Sequence, residues 1–421
     1  MLEFAIVGFG SRGQMFARLL KNTEHKLKAV AEPLKDGLRC AEEEFNVSHE
    51  FCFKDANEFF KCGKICDAVF ICTQDSQHYL MAMKALELGY DICLEKPAAV
   101  SMEECIAIRN KANELNRKVM LTHVLRYTPF YQCIKSTILS GVLGDIVNIN
   151  QTENIAYWHF GLSFVRGPWA NMGESTPTII AKCCHDLDII LWLMNKKCLS
   201  VSSLGKLFYF KEENAPKGSA KHCADCSEQV RENCVYNAYK VYSKRAKYQV
   251  VGGIAKYNYK NIYEVLDEKK EVISQCVFHC DNDAIDNQTV EMEFEDGSLG
   301  HLTMTAFSND CHRTIVVSGT KGEIYGDMEE GTLHLNIFGQ EKKIIDANKE
   351  FNADRIDTGG GHGGGDYYLL KDFIDYLVNG KESFTRTDIT QSIASHLVGF
   401  TAEESRLSGG KKIILDKGKG E

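Results

Sequence analysis

The chain predicts a two-part α/β protein: an amino-terminal doubly wound parallel sheet, followed by an α+β domain with an open, mainly antiparallel sheet. Three observations carry that expectation. Up to residue 123, strand-like and helix-like patterns alternate, as a parallel sheet with helical crossovers requires. From about residue 124 the texture changes to two-residue alternation, with the hairpin-type turns Glu295-Asp-Gly-Ser298 and Gly319-Thr-Lys-Gly322 between several segments. The 421 residues also exceed what one ordinary core holds, and their composition, 44% hydrophobic and 25% charged, is that of a globular protein.

Met1–Val7 reads as a buried strand, Gly8-Phe9-Gly10-Ser11-Arg12-Gly13 follows without a gap, and Gln14–Lys21 continues as a helix. A second apolar run, Leu27–Ala31, ends at Glu32, an acidic residue 19 positions after the last glycine. Together these make a dinucleotide fingerprint and a Rossmann domain. Gly8 allows the tight turn, Gly10 lets the backbone approach a pyrophosphate, and Gly13 permits close helix–strand packing. The helix N-terminus supplies N–H donors to the phosphates. Glu32 accepts from two ribose hydroxyls and repels a 2′-phosphate, so NAD is expected over NADP. A glycine-rich turn without a ligand is the plainer alternative.

The alternation goes on through a strand at Asp67–Cys72, a helix at Ser76–Leu88 with Gly89 past its end, and a strand at Tyr90–Leu94. A helix opened by the capping box Ser101-x-x-Glu104 runs to Asn116, and Lys118–Leu121 is a short last strand. Residues 1–123 are therefore expected to form the nucleotide domain and 124–421 the substrate and oligomerisation domain. In the latter, Ile146–Thr152, Val290–Phe294, Gly300–Ala306, Thr314–Ser318 and Thr332–Phe338 read as antiparallel strands, and Thr178–Trp192 as one helical stretch. A segment of about 211–277 reads as an insertion. Asp366–Asn379 and Asp388–Leu407 read as terminal helices and Ile413–Leu415 as a final strand. An open sheet leaves a face to be covered, and a partner subunit is the simplest cover, giving a homodimer or tetramer.

The net charge of −9 and the absence of a basic run argue against nucleic acid and anionic membrane as partners. No run approaches 18 apolar residues and no leader pattern precedes the first strand, so the expectation is a cytoplasmic protein acting on a small molecule. The 17 cysteines are scattered through strands and helices, as buried reduced thiols would be. One cluster differs: Cys223-x-x-Cys226 with Cys234 eight residues on starts like half a zinc knuckle. Free thiols or a redox-sensitive pair are the expectation there, structural zinc the alternative.

Four regions carry candidate chemistry. Leu94-Glu95-Lys96-Pro97 closes a strand of the nucleotide domain at the carboxyl edge, where ligands bind in open α/β sheets. Lys96 there can donate to a hydroxyl under oxidation, and Pro97 fixes the chain direction. A solvated surface lysine is the alternative. Lys182, His185 and Asp188, at i, i+3 and i+6 of a helix, would form one stripe: His185 as base toward a hydroxyl, Asp188 orienting it, and Lys182 lowering its pKa or touching substrate. A core histidine satisfied by a nearby Asp weighs equally. Thr358-Gly-Gly-Gly-His362-Gly-Gly-Gly-Asp366 sets six glycines around one imidazole, which suits a ligand-hugging loop or a linker. The segment from His123 through Arg126 and Tyr127 lies at the domain junction, and Tyr157-Trp158-His159 with Arg166-Gly-Pro-Trp169 adds aromatics beside hydrogen-bonding partners. Sugar rings use such surfaces, as do interfaces.

These residues resemble the Gfo/Idh/MocA oxidoreductases, NAD(P)-dependent enzymes acting mainly on sugars, cyclitols and glycosides. The resemblance spans nearly the whole chain and rests on the glycine motif with Glu32, on Thr73 and His78, on Glu95-Lys96-Pro97, and on His185-x-x-Asp188. It implies that Lys96 and His185 are the catalytic pair, with Lys182 beside them. It implies cofactor contacts from Phe9, Ser11, Arg12, Glu32, Thr73, His78, Glu95 and Lys96 as well as the glycines. Arg126, Tyr127, His159, Arg166, Trp169, Asp188 and His362 join the pair as expected substrate contacts. The chain departs from the family at Thr73-Gln74, where Thr-Pro is frequent, at Ala181, where Asp is frequent, and in the Cys-containing insertion. Lys182-Cys-Cys-His185 and Gly-His362-Gly-Gly-Gly-Asp366 resemble a branch associated with glycosides and 3-keto-sugar chemistry. The expected reaction is NAD-dependent oxidation of a ring hydroxyl, with C3 the expected position. Two alternatives stand beside it: redox-assisted glycoside cleavage with a recycled NAD, and a non-catalytic sensor.

Overall fold

The computed structural model describes residues 1–173, 175–244, 262–269, 271–351 and 362–415. The chain begins β1 Glu3–Val7, α1 Ser11–Leu20, β2 Lys26–Ala31, α2 Lys35–Phe45, β3 Cys52–Phe53, α3 Ala56–Lys61, β4 Ala68–Ile71, α4 Asp75–Glu87, β5 Asp91–Leu94, α5 Met102–Glu114 and β6 Val119–Leu121. These strands make a six-stranded sheet in the order β3-β2-β1-β4-β5-β6, and every pairing is parallel. The order reverses between β1 and β4, so the two βα turns that follow them open a crevice at the carboxyl edge. β1 and β4 are buried throughout after Glu3, as strands covered by helices on both faces must be. Ser101 caps α5 by accepting from the Glu104 N–H.

The second part runs α6 Pro129–Leu139, β7 Ile146–Ala156, α7 Tyr157–Phe160, α8 Thr178–Ala181, α9 Cys184–Met194 and β8 Cys198–Lys206. Then come α10 Glu228–Asn233, α11 Ala238–Lys244, α12 Ile262–Glu268, β9 Asn287–Phe294, β10 Leu299–Ser308, β11 His312–Gly319, β12 Gly322–Asp327, β13 Thr332–Ile337 and β14 Lys343–Asp346. α13 Ala347–Glu350, α14 Gly365–Asn379, α15 Ile389–Leu407 and β15 Ile413–Ile414 complete it. The nine strands form one sheet, β14-β13-β12-β11-β7-β10-β9-β8-β15. All its pairings are antiparallel except β7 with β10, which are parallel. Strict alternation along β9, β10 and β11 buries one face against α6, α9 and α15 and leaves the other partly open.

The sequence divides the parts at residue 123, but the chain crosses back. Leu369, Leu370 and Phe373 of α14 pack under the parallel sheet with Phe4, Phe16 and Phe70, and Ile389, Ile393 and Leu397 of α15 pack with Val69, Ile92 and Cys105. α15 thus bridges α5, α9 and β8, which fixes the crevice against its far wall. The 178–192 stretch is not one helix. α8 stops at Ala181, Cys183 (φ −99, ψ 8) caps α9, and the intervening break turns Lys182 away from the His185 face. Among the described residues, no helix is long and apolar enough to cross a membrane.

Candidate active site

The glycine turn sits between β1 and α1 with its three glycines in different surroundings. Gly8 has φ +90, and a Cβ there would lie 2.6 Å from the Cys72 carbonyl, so the turn presses on the end of β4. A Cβ on Gly13 would lie 2.3 Å from the Gly8 oxygen and 3.0 Å from Ile6 Cγ2, which fixes how closely α1 approaches the sheet. Gly10 has nothing within 4 Å of its Cβ position. The open side is therefore the one a pyrophosphate would approach, at the N-terminus of α1. Glu32, 7% exposed, accepts from Phe9 N at 2.7 Å and Leu34 N at 3.0 Å, holding its carboxylate at the end of β2. The Phe9 side chain is core, edge-on to Phe45, so its backbone alone faces the turn. Across the crevice the Thr73 hydroxyl is buried without a protein partner among the described residues. An orphaned donor, an unobstructed glycine and an acid at the end of β2 fit a dinucleotide.

His78, expected to touch the cofactor, is instead an internal brace. Its ring nitrogens lie 2.6 Å from the Pro97 oxygen and 3.1 Å from the Thr73 oxygen, tying the β4 and β5 turns together. Arg12 likewise turns inward: Nε donates to Glu95 Oε1 at 2.5 Å and Nη2 lies 2.8 Å from Asp366 Oδ1. Glu95 also accepts from the Thr122 hydroxyl at 2.8 Å and from Lys96 N at 3.1 Å. Ser11 is exposed in the first turn of α1.

This network positions Lys96. Its peptide bond to Pro97 is cis, and its Nζ donates to the Ala181 carbonyl at 2.8 Å. That carbonyl is available because α8 ends there. His185 lies in the first turn of α9, 4% exposed, with Nδ1 unpartnered among the described residues. Its ring centroid is 5.6 Å from His123 and 5.9 Å from His362. Burial, then the charge of Lys96 and these two rings, holds the His185 pKa well below the usual histidine value. The imidazole is consequently neutral at physiological pH, with a lone pair to accept a proton. His362 is held in turn by Asp366 Oδ2 at 3.1 Å, a carboxylate whose burial is outweighed by Arg12 and His362, which keep it ionised far below the usual range. Of the glycine-rich motif, residues 358–361 lie outside the described residues.

Lys182 does not lower the His185 pKa. It pairs with the fully buried Glu153 at 3.1 Å, which outweighs burial and keeps Lys182 charged. Glu153 also meets Arg313 at 2.7 Å, and Arg313 meets Asp186 at 3.0 Å. His159 joins this corner: burial, then Lys182 and Lys96, push it down to about 3. Lys96, Lys182, His159, His185 and His362 therefore converge on the crevice. Trp169 stands at its edge, with Nε1 donating to Asp75 Oδ2 at 2.9 Å.

Four residues expected at the substrate are spent elsewhere. Arg126 and Asp188 form a bidentate ion pair, both contacts 2.6 Å, at 4% and 1% exposure, so Asp188 does not orient His185. Tyr127 is buried and donates to Asp372 at 2.8 Å. Arg166 is buried beneath the insertion and donates to the Gln275 and Tyr236 carbonyls. In each case a strong local partner outcompetes a site facing water. Conversely, Thr122, Glu153, Arg313 and the Ala181 carbonyl belong to the site without having been singled out. Glu153 and Arg313 had a signal: both occupy inward positions of alternating strands, beside Ile155 and Ile315. A charge there has to be partnered.

Fold and crevice together define a dinucleotide-binding α/β protein with a lysine and a buried histidine in its crevice. Residues 2–123 match the oxidoreductase family's NAD-binding Rossmann fold and residues 135–406 its C-terminal alpha/beta domain, so the chain belongs to the Gfo/Idh/MocA family. It is similar to YteT of Bacillus subtilis, 23% identical over 77% of this chain and 74% of YteT. It is also similar to scyllo-inositol 2-dehydrogenase (NAD(+)) of the same organism, 30% identical over 48% of this chain and 57% of that enzyme. Among solved structures, levoglucosan dehydrogenase in complex with NADH superposes with a TM-score of 0.73 at 16% identity, covering 99% of both chains; that likeness is of fold.

Proposed function

We propose that the protein oxidises a ring hydroxyl of a sugar, cyclitol or glycoside, with His185 removing the hydroxyl proton and Lys96 stabilising the oxygen. The observation that carries this is the pairing of a buried, neutral imidazole whose Nδ1 is unpartnered with an ammonium held by one backbone carbonyl. NAD, when bound, supplies the hydride acceptor. Gly8, Gly10, Gly13 and Thr73 would hold it, and the Glu32 carboxylate favours a free 2′-hydroxyl over a 2′-phosphate.

Lys96 can exchange its contact with the Ala181 carbonyl for one to the substrate oxygen, where a fixed positive charge lowers the barrier as negative charge develops. His185 starts neutral and ends protonated, which its low pKa makes costly. The proton is therefore passed on rather than retained, and His362 with Asp366 stands on the route outward. Lys182 and His159 form the wall that would contact the remaining hydroxyls. The scyllo-inositol relative supports a polyhydroxylated ring as substrate.

The test is a panel of monosaccharides, cyclitols and glycosides incubated with protein and NAD, read as NADH absorbance. Turnover of at least one ring, with a strong preference for NAD over NADP, is expected. No NADH from any of them refutes the proposal. Glycoside cleavage without NADH accumulation would assign the site instead to a redox-neutral cycle with retained NAD.

A further inference from the structure

The 211–277 insertion gathers cysteines that are far apart in sequence. Cys223 and Cys226 flank a single turn, Cys223–Asp225, and Cys234 follows α10 directly. Cys276 is brought to them by an isolated bridge between His222 and Gln275, in which Cys276 N donates to the Lys221 carbonyl at 2.9 Å. Cys223, Cys226, Cys234 and Cys276 all line one cavity of about 10 Å³, with Arg166 and Tyr236. That is room for one small sphere and no more.

Two further features of this cavity are unexplained by packing. Arg166 is 2% exposed, and among the described residues no carboxylate pairs with it; its partners are the Gln275 and Tyr236 carbonyls and, at 3.4 Å, Cys223 Sγ. A buried guanidinium without a counter-charge is costly. In addition, Ala220 N donates to Cys226 Sγ at 3.3 Å. Sulfur accepts such a bond weakly as a thiol and strongly as a thiolate, and Cys226 Sγ also lies 3.7 Å from the His222 carbonyl.

We infer that Cys223, Cys226, Cys234 and Cys276 bind a single tetrahedral zinc ion that pins the insertion to the substrate domain. Four thiols release four protons to the solvent, and four thiolates around one Zn²⁺ leave a net charge of −2, the counter-charge that Arg166 lacks. Zn–S bonds of about 2.3 Å require sulfurs about 3.8 Å apart. Among the described residues no three such groups already stand in ligating geometry, so binding draws the sulfurs inward across the cavity. The site is structural: its four positions are taken by protein, and the same insertion packs through Cys223 against Trp158 and Leu162, which flank the turn bearing His159.

Full-length protein, purified without chelator or added metal, tests this by elemental analysis and by zinc release to a colorimetric chelator on mercurial titration. One zinc per chain is expected, released as the fourth thiol is modified. Cys276→Ser should cut the zinc content at least tenfold, while Cys280→Ser, a neighbour that does not line the cavity, keeps it. Should Cys276→Ser fail to fold, wild-type protein stripped and reloaded with Co²⁺ gives the second reading: intense thiolate-to-cobalt charge-transfer bands with tetrahedral d–d bands are expected. Four freely titratable thiols with no metal, a disulfide among the four, or iron with sulfide in place of zinc would each overturn the inference.

Discussion

His123 and His396 make the domain junction acid-sensitive in a way that can be calculated. Their rings are 5.5 Å apart and both residues are 0% exposed. Burial, only partly offset by Asp188, pushes His123 down to about 4; burial, reinforced by His123, pushes His396 down to about 3. In the unfolded chain both titrate near 6.5. Between 6.5 and those lower values the unfolded state takes up protons that the native state refuses, so stability falls as pH falls through that window. At pH 5 each is about 1.5 pH units below its unfolded value, worth about 2 kcal/mol apiece and about 4 kcal/mol together. Asp186 acts in the opposite sense: burial raises it to about 6, so its proton uptake in the native state offsets part of that loss on acidification to pH 5. His159 and His185 add to the loss. A comparison of wild type with His123→Gln/His396→Gln removes these common contributions. Urea unfolding at pH 7.5 and pH 5.0 should show wild type losing about 4 kcal/mol more than the double variant on acidification. Equal losses would refute the buried, neutral state of the pair.

Other substitutions separate binding from folding. Gly10→Ala, with open space at its Cβ, should leave the melting temperature within about a degree while weakening NAD at least tenfold, about 1.4 kcal/mol, by calorimetric titration. Gly13→Ala meets the Gly8 oxygen and should lower stability by about 1–3 kcal/mol in thermal melts before any ligand is added. Arg126→Met strands the Asp188 carboxylate and should cost about 3–5 kcal/mol in urea, most of it recovered in Arg126→Met/Asp188→Leu. In active protein the acid limb of kcat/KM should fall below the usual histidine range, because His185 stays neutral there; a limb centred near 6.5 would contradict its burial.

The parallel sheet was legible because burial on both faces writes continuous apolar runs and glycine turns directly into the chain, as at Phe4–Gly13 and Val69–Leu94. α2, α3 and β3 were not singled out: the two-residue β3 pairs through two positions only, too short for any period to show. The second sheet's alternation was visible strand by strand. Its one parallel pair, β7 with β10, was not, since no local pattern records which strands meet across 150 residues of chain. In the site, the sequence placed Lys96 at the carboxyl end of a parallel strand and His185 on a helix, and both stand there, after β5 and in α9. The fates of Arg126, Asp188 and Lys182 were not legible, because each depends on a partner brought by another element. The break after Ala181 also defeats helical spacing: Lys182 and His185 are three apart in sequence, yet Lys182 turns to β7 and leaves its place at His185 to Lys96, 89 residues earlier.

The central claim is that Lys96 and His185 perform chemistry beside a dinucleotide that other residues bind. It is tested most directly by a single turnover of protein loaded with NAD and a ring substrate deuterated at each C–H, with the reduced cofactor read by mass spectrometry. Wild type should transfer one deuterium, whereas Lys96→Met and His185→Ala should bind NAD within about threefold of wild type and lose at least about a hundredfold in transfer rate. Transfer at the wild-type rate in either variant, or no deuterium in the cofactor from any ring substrate, would contradict the account.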